Sequence, residues 1–199
     1  MNALIAVYAD IATGSAEAFR SWREEQQVPA LRACPGVQGA EWLESVEGQP
    51  QLLLLCALED ERAAEGAEVR AALDWDPWLR ELRGWHRRTY LPIFALGEPP
   101  SPPSPFLLTV RADVVAGTEA SFNSWYDDVH VPEALGCPGF LAATRWECVE
   151  GEPRFLALYE LDRADVLATP ELNRIYGFGP TTPTIRSEHG RIYARRRDG

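Results

Sequence analysis

Slid along itself by 103 positions, this chain falls into register with its own second half. Residues 4–90 laid on 107–193 give 28 identities in 87 positions without a gap. Pro29, Cys34, Pro35 and Gly36 meet Pro132, Cys137, Pro138 and Gly139; Phe19 and Trp22 meet Phe122 and Trp125; His86, Arg88 and Tyr90 meet His189, Arg191 and Tyr193. A fixed offset of this kind marks a repeated structural unit and outranks local propensity. The expected organisation is a unit at 1–96, a linker at 97–105 and a second unit at 106–199. The linker, Gly97 to Pro105, holds five prolines in nine residues, which removes amide donors and favours an extended path. Each half is marginal alone, so the two are expected to bury a sheet face against each other.

Within the second unit, Phe106–Ala112 is apolar and β-branched, as a strand should be. Gly117-Thr118 punctuates the chain, with Thr118 placed to cap a helix. Phe122, Trp125, Tyr126 and Val129 then recur at three- and four-residue spacing, a core-facing helical stripe. Pro132 breaks that pattern: either it opens a second helical stretch running to Leu135, or the first helix stops at Val131. Cys137-Pro138-Gly139 reads as a turn, 140–149 and 155–161 as a hairpin, 163–175 as a weaker helix and 188–194 as a final strand. The first unit repeats the order with strands 3–9, 38–46, 51–58 and 85–95 and helices 16–33 and 61–83. The order β-α-β-β-α-β is ferredoxin-like. The predicted fold class is therefore α+β: tandem ferredoxin-like units closing into an intramolecular dimeric α+β barrel, with a ligand cavity between sheet and helices or between the sheets.

Charge narrows the partners. A net charge of −11 and the absence of a basic stripe argue against nucleic acid, and Arg195-Arg196-Arg197 reads as a solvated tail. No apolar run approaches a membrane span, and the N-terminus lacks a basic n-region, which points to the cytoplasm. Cys34, Cys56, Cys137 and Cys148 form no CxxC pair and are expected to be free, mostly buried thiols. The three histidines are isolated, so no metal site is expected. No glycine-rich nucleotide loop or nucleophile elbow occurs either, and no cofactor is expected.

The halves differ where chemistry belongs. Arg23, Gln27 and Ala30 in the first stand against Tyr126, His130 and Glu133 in the second. His130, four residues from Tyr126 and three from Asp127, is the candidate acid–base, since imidazole titrates near neutrality. Asp127 or Glu133 is placed to fix its tautomer, and Tyr126 or Asn123 to hydrogen-bond a substrate oxygen. Arg145 would face an enolate or carboxylate if it points inward. His86 and His189, kept in both halves, suit a shared structural bond or two ends of a cavity. Trp75, Trp78 and Trp85 suit core packing or an aromatic wall.

The run Phe122-Asn123-Ser124-Trp125-Tyr126-Asp127-Asp128-Val129-His130-Val131-Pro132, followed by Pro138-Gly139-Phe140 and Ala143-Thr144-Arg145-Trp146, resembles the WYxxHxP…PGFxxAxR-aromatic pattern of EthD-like dimeric α+β barrel proteins. The resemblance is strong over 122–146 and degenerate over 19–42. It implies a barrel usually built from two chains. Relatives include cofactor-independent monooxygenases of polycyclic phenols, polyketide cyclases, lactone isomerases, dehydratases and haem-dependent enzymes. Carried over by position it implies catalysis at His130, supported by Tyr126, Asn123 and Arg145; with Asp127 added from its spacing to the imidazole, the catalytic candidates are His130, Tyr126, Asp127 and Arg145. Asn123, Trp125, Glu133, Trp146, His86 and His189 are the substrate-binding candidates. The expected ligand is a hydrophobic aromatic or polyketide-like carbonyl compound. Proton transfer would lead to its cyclisation, isomerisation, dehydration or decarboxylation. The alternatives are cofactor-free monooxygenation of a polycyclic phenol and non-catalytic binding of such a molecule. A homodimer of the fused chain is a further expectation.

Overall fold

The computed structural model describes residues 2–49, 51–76 and 78–195. Its contacts separate one compact unit ending at Leu91 from a second beginning at Pro92. That division lies inside a strand, not in the proline-rich segment.

In the first unit, β1 (Ala3–Ile11) leads into α1 (Ala16–Trp22), a π-helical turn (Arg23–Gln27) and α2 (Val28–Ala33). Then come β2 (Val37–Ser45), β3 (Leu52–Leu58), α3 (Ala67–Ala72) and β4 (Leu82–Leu96). The strands pair antiparallel in the order β4-β1-β3-β2. Alternation puts Ile5, Val7, Trp42, Leu54 and Cys56 on the face that meets Phe19 and Leu31 of the helices. The helix expected over 61–83, broken or frayed, is a six-residue helix between two 3₁₀ turns. Trp75, Trp78 and Trp85 follow it, Trp75 against Trp85 with centroids 5.7 Å apart and Trp78 against Phe19 of α1 at 5.2 Å.

The second unit repeats the order. It comprises β5 (Phe106–Val114), α4 (Glu119–Trp125), a π-turn (Tyr126–His130), α5 (Val131–Leu135), β6 (Phe140–Cys148), β7 (Phe155–Leu161), α6 (Pro170–Ile175) and β8 (Ile185–Arg195). The sheet runs β8-β5-β7-β6, again antiparallel. Leu108, Ala112, Phe140, Phe155, Tyr159 and Ile192 share the face that packs on Phe122, Val131 and Leu172. The opposite face of each sheet is buried too, through Leu4, Tyr8 and Leu53 in the first unit and Leu107, Trp146 and Tyr193 in the second.

Proline explains the π-turns. Pro132 has no amide to donate to the carbonyl four residues back, and its ring would press on that carbonyl. The turn widens instead, and the Val131 amide reaches five residues back to Tyr126. Pro29 does the same in the first unit, where Val28 reaches Arg23. Pro132 thus lies in the first turn of the second helical stretch to Leu135, the first of the two alternatives. Thr118 does occupy the N-cap position, but its hydroxyl donates to the Val115 carbonyl at 2.6 Å and caps nothing. All four cysteines are free, and Cys56, Cys137 and Cys148 are buried. Arg195 is no solvated tail: it ends β8 and donates to both Glu160 oxygens, at 2.6 and 3.0 Å. Arg196 and Arg197 lie outside the described residues.

Candidate functional site

The extra residue in the π-turn decides what the second unit's helix presents to its sheet. Val129, expected in the apolar stripe, is 40% exposed, because the widened turn moves the inward face on by one position. His130, Val131 and Ala134 take that face.

Between sheet and helices this leaves a cavity of about 320 Å³, at the small end of the ligand-pocket range. Leu108, Val110, Phe140, Leu172 and Phe178 make apolar walls; Tyr176 also lines it but is 68% exposed, and the other ionisable groups are His130, Tyr126, Tyr159 and Glu188. The Tyr159 hydroxyl donates to the Tyr126 hydroxyl at 3.2 Å. That fills an acceptor site on Tyr126 and leaves the Tyr126 proton for another partner. The His130 ring stacks on Trp125, centroids 5.0 Å apart, and meets Tyr126 edge-on at 4.8 Å. Its Nδ1 is buried with no hydrogen-bond partner among the described residues.

Burial biases every one of these groups toward neutrality. It is the main cause that lowers His130 to about 4, with the charge of Arg145 adding to it. It raises Tyr126 to about 12, Tyr159 well above the usual phenol value, and Glu188 above the usual carboxylate value. At neutral pH the imidazole is therefore an uncharged acceptor beside two phenol donors.

Arg145 points inward but does not reach the cavity. Its guanidinium, 1% exposed, bonds Asp127 and donates to Asn123 Oδ1 at 2.7 Å. It lies 4.3 Å from the Tyr126 ring centroid, a cation–π contact that holds the phenol in place. Asp127 and Asn123 are thus committed to Arg145 and not to imidazole or substrate. Glu133 is exposed on α5 and leaves His130 without a carboxylate to fix its tautomer. Trp125 supports the imidazole from behind. Trp146 lies on the other sheet face, where Nε1 donates to Thr144 Oγ1 at 2.9 Å. His189, across from Arg111 on β5, is also on that face. His86 stacks on Tyr8 with centroids 5.1 Å apart and sits 3.3 Å from the Gly84 carbonyl. Neither conserved-position histidine lines this cavity.

Tyr159 and Glu188 are among the lining residues that escaped the sequence reading. Tyr159 stands where the first unit has Cys56, and Glu188 where it has Trp85. Comparing the halves beyond the helix would have singled both out. In the first unit the matching space is filled: Gln27 Oε1 accepts from Trp42 Nε1 at 2.9 Å, and Trp42 packs on Trp75, 5.4 Å between centroids. The cation–π pair is inverted there, with Arg23 on the helix and Trp42 on the strand, 5.6 Å apart.

No protein-family model matches this chain, and no curated protein sequence does. Solved structures do. An anthrone oxidase-like protein superposes with a TM-score of 0.75 at 9% identity, covering 98% of this chain and 91% of that one. A proposed monooxygenase from Fusobacterium nucleatum gives 0.69 at 10%, over 98% and 92%. A mutant chlorite dismutase from Candidatus Nitrospira defluvii also gives 0.69 at 10%, over 98% and 91%. The likeness is one of fold. A ferredoxin-fold protein from Listeria monocytogenes, described as related to antibiotic biosynthesis monooxygenases, shares that fold with a TM-score of 0.53 at 11% identity, over 100% of this chain and 97% of that one. Among the described residues no helix is long and apolar enough to cross a membrane, and no three potential metal ligands cluster.

Proposed function

We propose that the second unit is a cofactor-independent, cytoplasmic enzyme that removes a proton from a hydrophobic aromatic carbonyl compound or phenol, with His130 as the base. The observation that carries this is a partnerless, uncharged imidazole nitrogen buried in an apolar cavity beside a phenol with a proton to give. His130 accepts the proton from an acidic carbon or a phenol. The oxyanion that develops receives the Tyr126 hydroxyl, which Tyr159 and Arg145 hold in position. An imidazolium that burial disfavours alone is offset by the adjacent enolate, since opposite charges attract strongly where water is excluded. Burial of Glu188 also opposes a second negative charge there.

Among the reactions open to such a carbanion, oxygenation is favoured by the names of the fold neighbours, an anthrone oxidase-like protein and a proposed monooxygenase. A methylene compound and dioxygen would give a ketone and water. The carbanion supplies the electrons, one oxygen atom stays in the product and the other leaves as water. Cyclisation, isomerisation, dehydration and decarboxylation share the same first step. In this reading the repeated units are an EthD-like duplication, and a pair of fused chains is a further step of assembly.

The test is incubation of the purified protein with anthrone-type and polycyclic phenol substrates. Oxygen uptake is followed, and bound ligand is identified by mass spectrometry. Turnover by wild type that His130→Ala abolishes while binding persists supports the enzyme. Binding without turnover in both proteins means a carrier, and turnover unaffected by His130→Ala ends the assignment.

A further inference from the structure

The first unit holds a second cavity, of about 330 Å³, that the reaction above does not use. Ile11, Phe19 and Leu52 form its apolar side; Arg20, Arg23 and Glu44 its charged side. Arg23 is 2% exposed, yet of its guanidinium nitrogens only Nη2 has a partner, Glu44, while Nε and Nη1 are buried without one. Buried donors in folded proteins are nearly always satisfied, and an exception points to a missing partner.

The second unit shows what a satisfied arrangement looks like. There Arg145 has two acceptors of its own, Asp127 and Asn123. At the positions matching those acceptors the first unit has Glu24 and Arg20, so a neutral acceptor has become another cation. Arg20 reaches the same Glu44 oxygen that Arg23 uses, at 3.3 Å. Two guanidiniums therefore share one half-exposed carboxylate at the cavity wall, although Glu24 adds to the field on Arg23. In a chain of net charge −11, a cleft with surplus cation donors is anomalous.

We propose that this cavity binds a small organic carboxylate, its anionic end on Arg23 and Arg20 and its apolar body against Ile11, Phe19 and Leu52. The apolar side favours such a molecule over inorganic phosphate, and guanidinium geometry suits a carboxylate. This proposal stands apart from the assignment of His130.

The experiment is calorimetric titration of the full chain with benzoate, hexanoate and phosphate. Benzoate or hexanoate is expected to bind, and phosphate at least tenfold more weakly. Arg23→Met should weaken benzoate about tenfold or more, the loss of one charge-assisted bond. Glu44→Gln, which removes the competing anion, should tighten it severalfold. Should Arg23→Met fail to fold, Arg20→Gln, at a 39% exposed side chain, is expected to weaken binding severalfold in its place. Gly190→Val, which narrows the other cavity, should leave binding unchanged. No binding by either carboxylate, equal binding of phosphate, weaker binding in Glu44→Gln, or loss of binding in Gly190→Val each overturns the proposal.

Discussion

Acid should weaken this fold through His130, and His130→Gln should remove most of that sensitivity. Glutamine is what the first unit carries at the matching position, as Gln27, so the replacement suits the scaffold. Burial lowers the imidazole from 6.5 to about 4. Between those values the unfolded chain binds a proton that the folded chain refuses. Stability therefore rises with pH across this window, is complete above about 6.5, and is lost as pH falls toward 4. A gap of about 2.5 units corresponds to about 3 kcal/mol at 1.36 kcal/mol per unit. Glu188 works in the opposite sense, since a raised carboxylate takes up its proton more readily when folded. It is common to both proteins and cancels in the comparison. Urea unfolding at pH 7 and pH 4, followed by circular dichroism, should show a pH-dependent loss about 3 kcal/mol larger in wild type than in His130→Gln. Equal losses, or an imidazole NMR titration centred near 6.5, would refute the claim that this ring is desolvated and partnerless.

Gly190 lines the cavity, and a side chain there would meet nothing within 4 Å, so Gly190→Val should abolish turnover with little change in melting temperature. Arg145→Met strands Asp127 and Asn123 and should cost about 3–5 kcal/mol in urea unfolding. In the surviving folded fraction the His130 titration should move upward, because the charge that depresses it is gone. Tyr159→Phe leaves the Tyr126 hydroxyl without its donor and should lower kcat by about tenfold or more, with KM nearly unchanged. Gly139 has φ +99°, and a Cβ there would lie 2.6 Å from Val166 Cγ1, so Gly139→Ala should lower the melting temperature sharply.

Much of the architecture was legible because strand alternation and turn chemistry are local. The strands at 106, 140 and 155 begin where the apolar runs begin, and Cys137-Pro138-Gly139 turns the chain with Gly139 at positive φ. The region after β3 was less so, because its tryptophans are held by rings distant in sequence, Trp75 by Trp42 on a strand and Trp78 by Phe19 and Trp22 on α1, contacts that no local pattern announces. Within the site, His130 and Tyr126 were visible from the contrast between halves. Arg145 was visible as a residue but not in its role, since a strand position does not say which acceptors will close on it. Tyr159 and Glu188 come from strands far along the chain and reach the cavity only through β-sheet register, which no local spacing reveals.

The single inserted residue at 126–130 makes Pro132 a distant guardian of the imidazole. With Pro132→Ala the helix regains an amide at that position and is free to relax to ordinary winding, which turns everything on one side of the slip by roughly 100° relative to the other. Such a rotation would exchange Val129 for His130 on the inward side. A backbone change that touches no ligand would then empty the pocket of its base, and the placement of one tertiary amide nitrogen is what keeps the two windings apart.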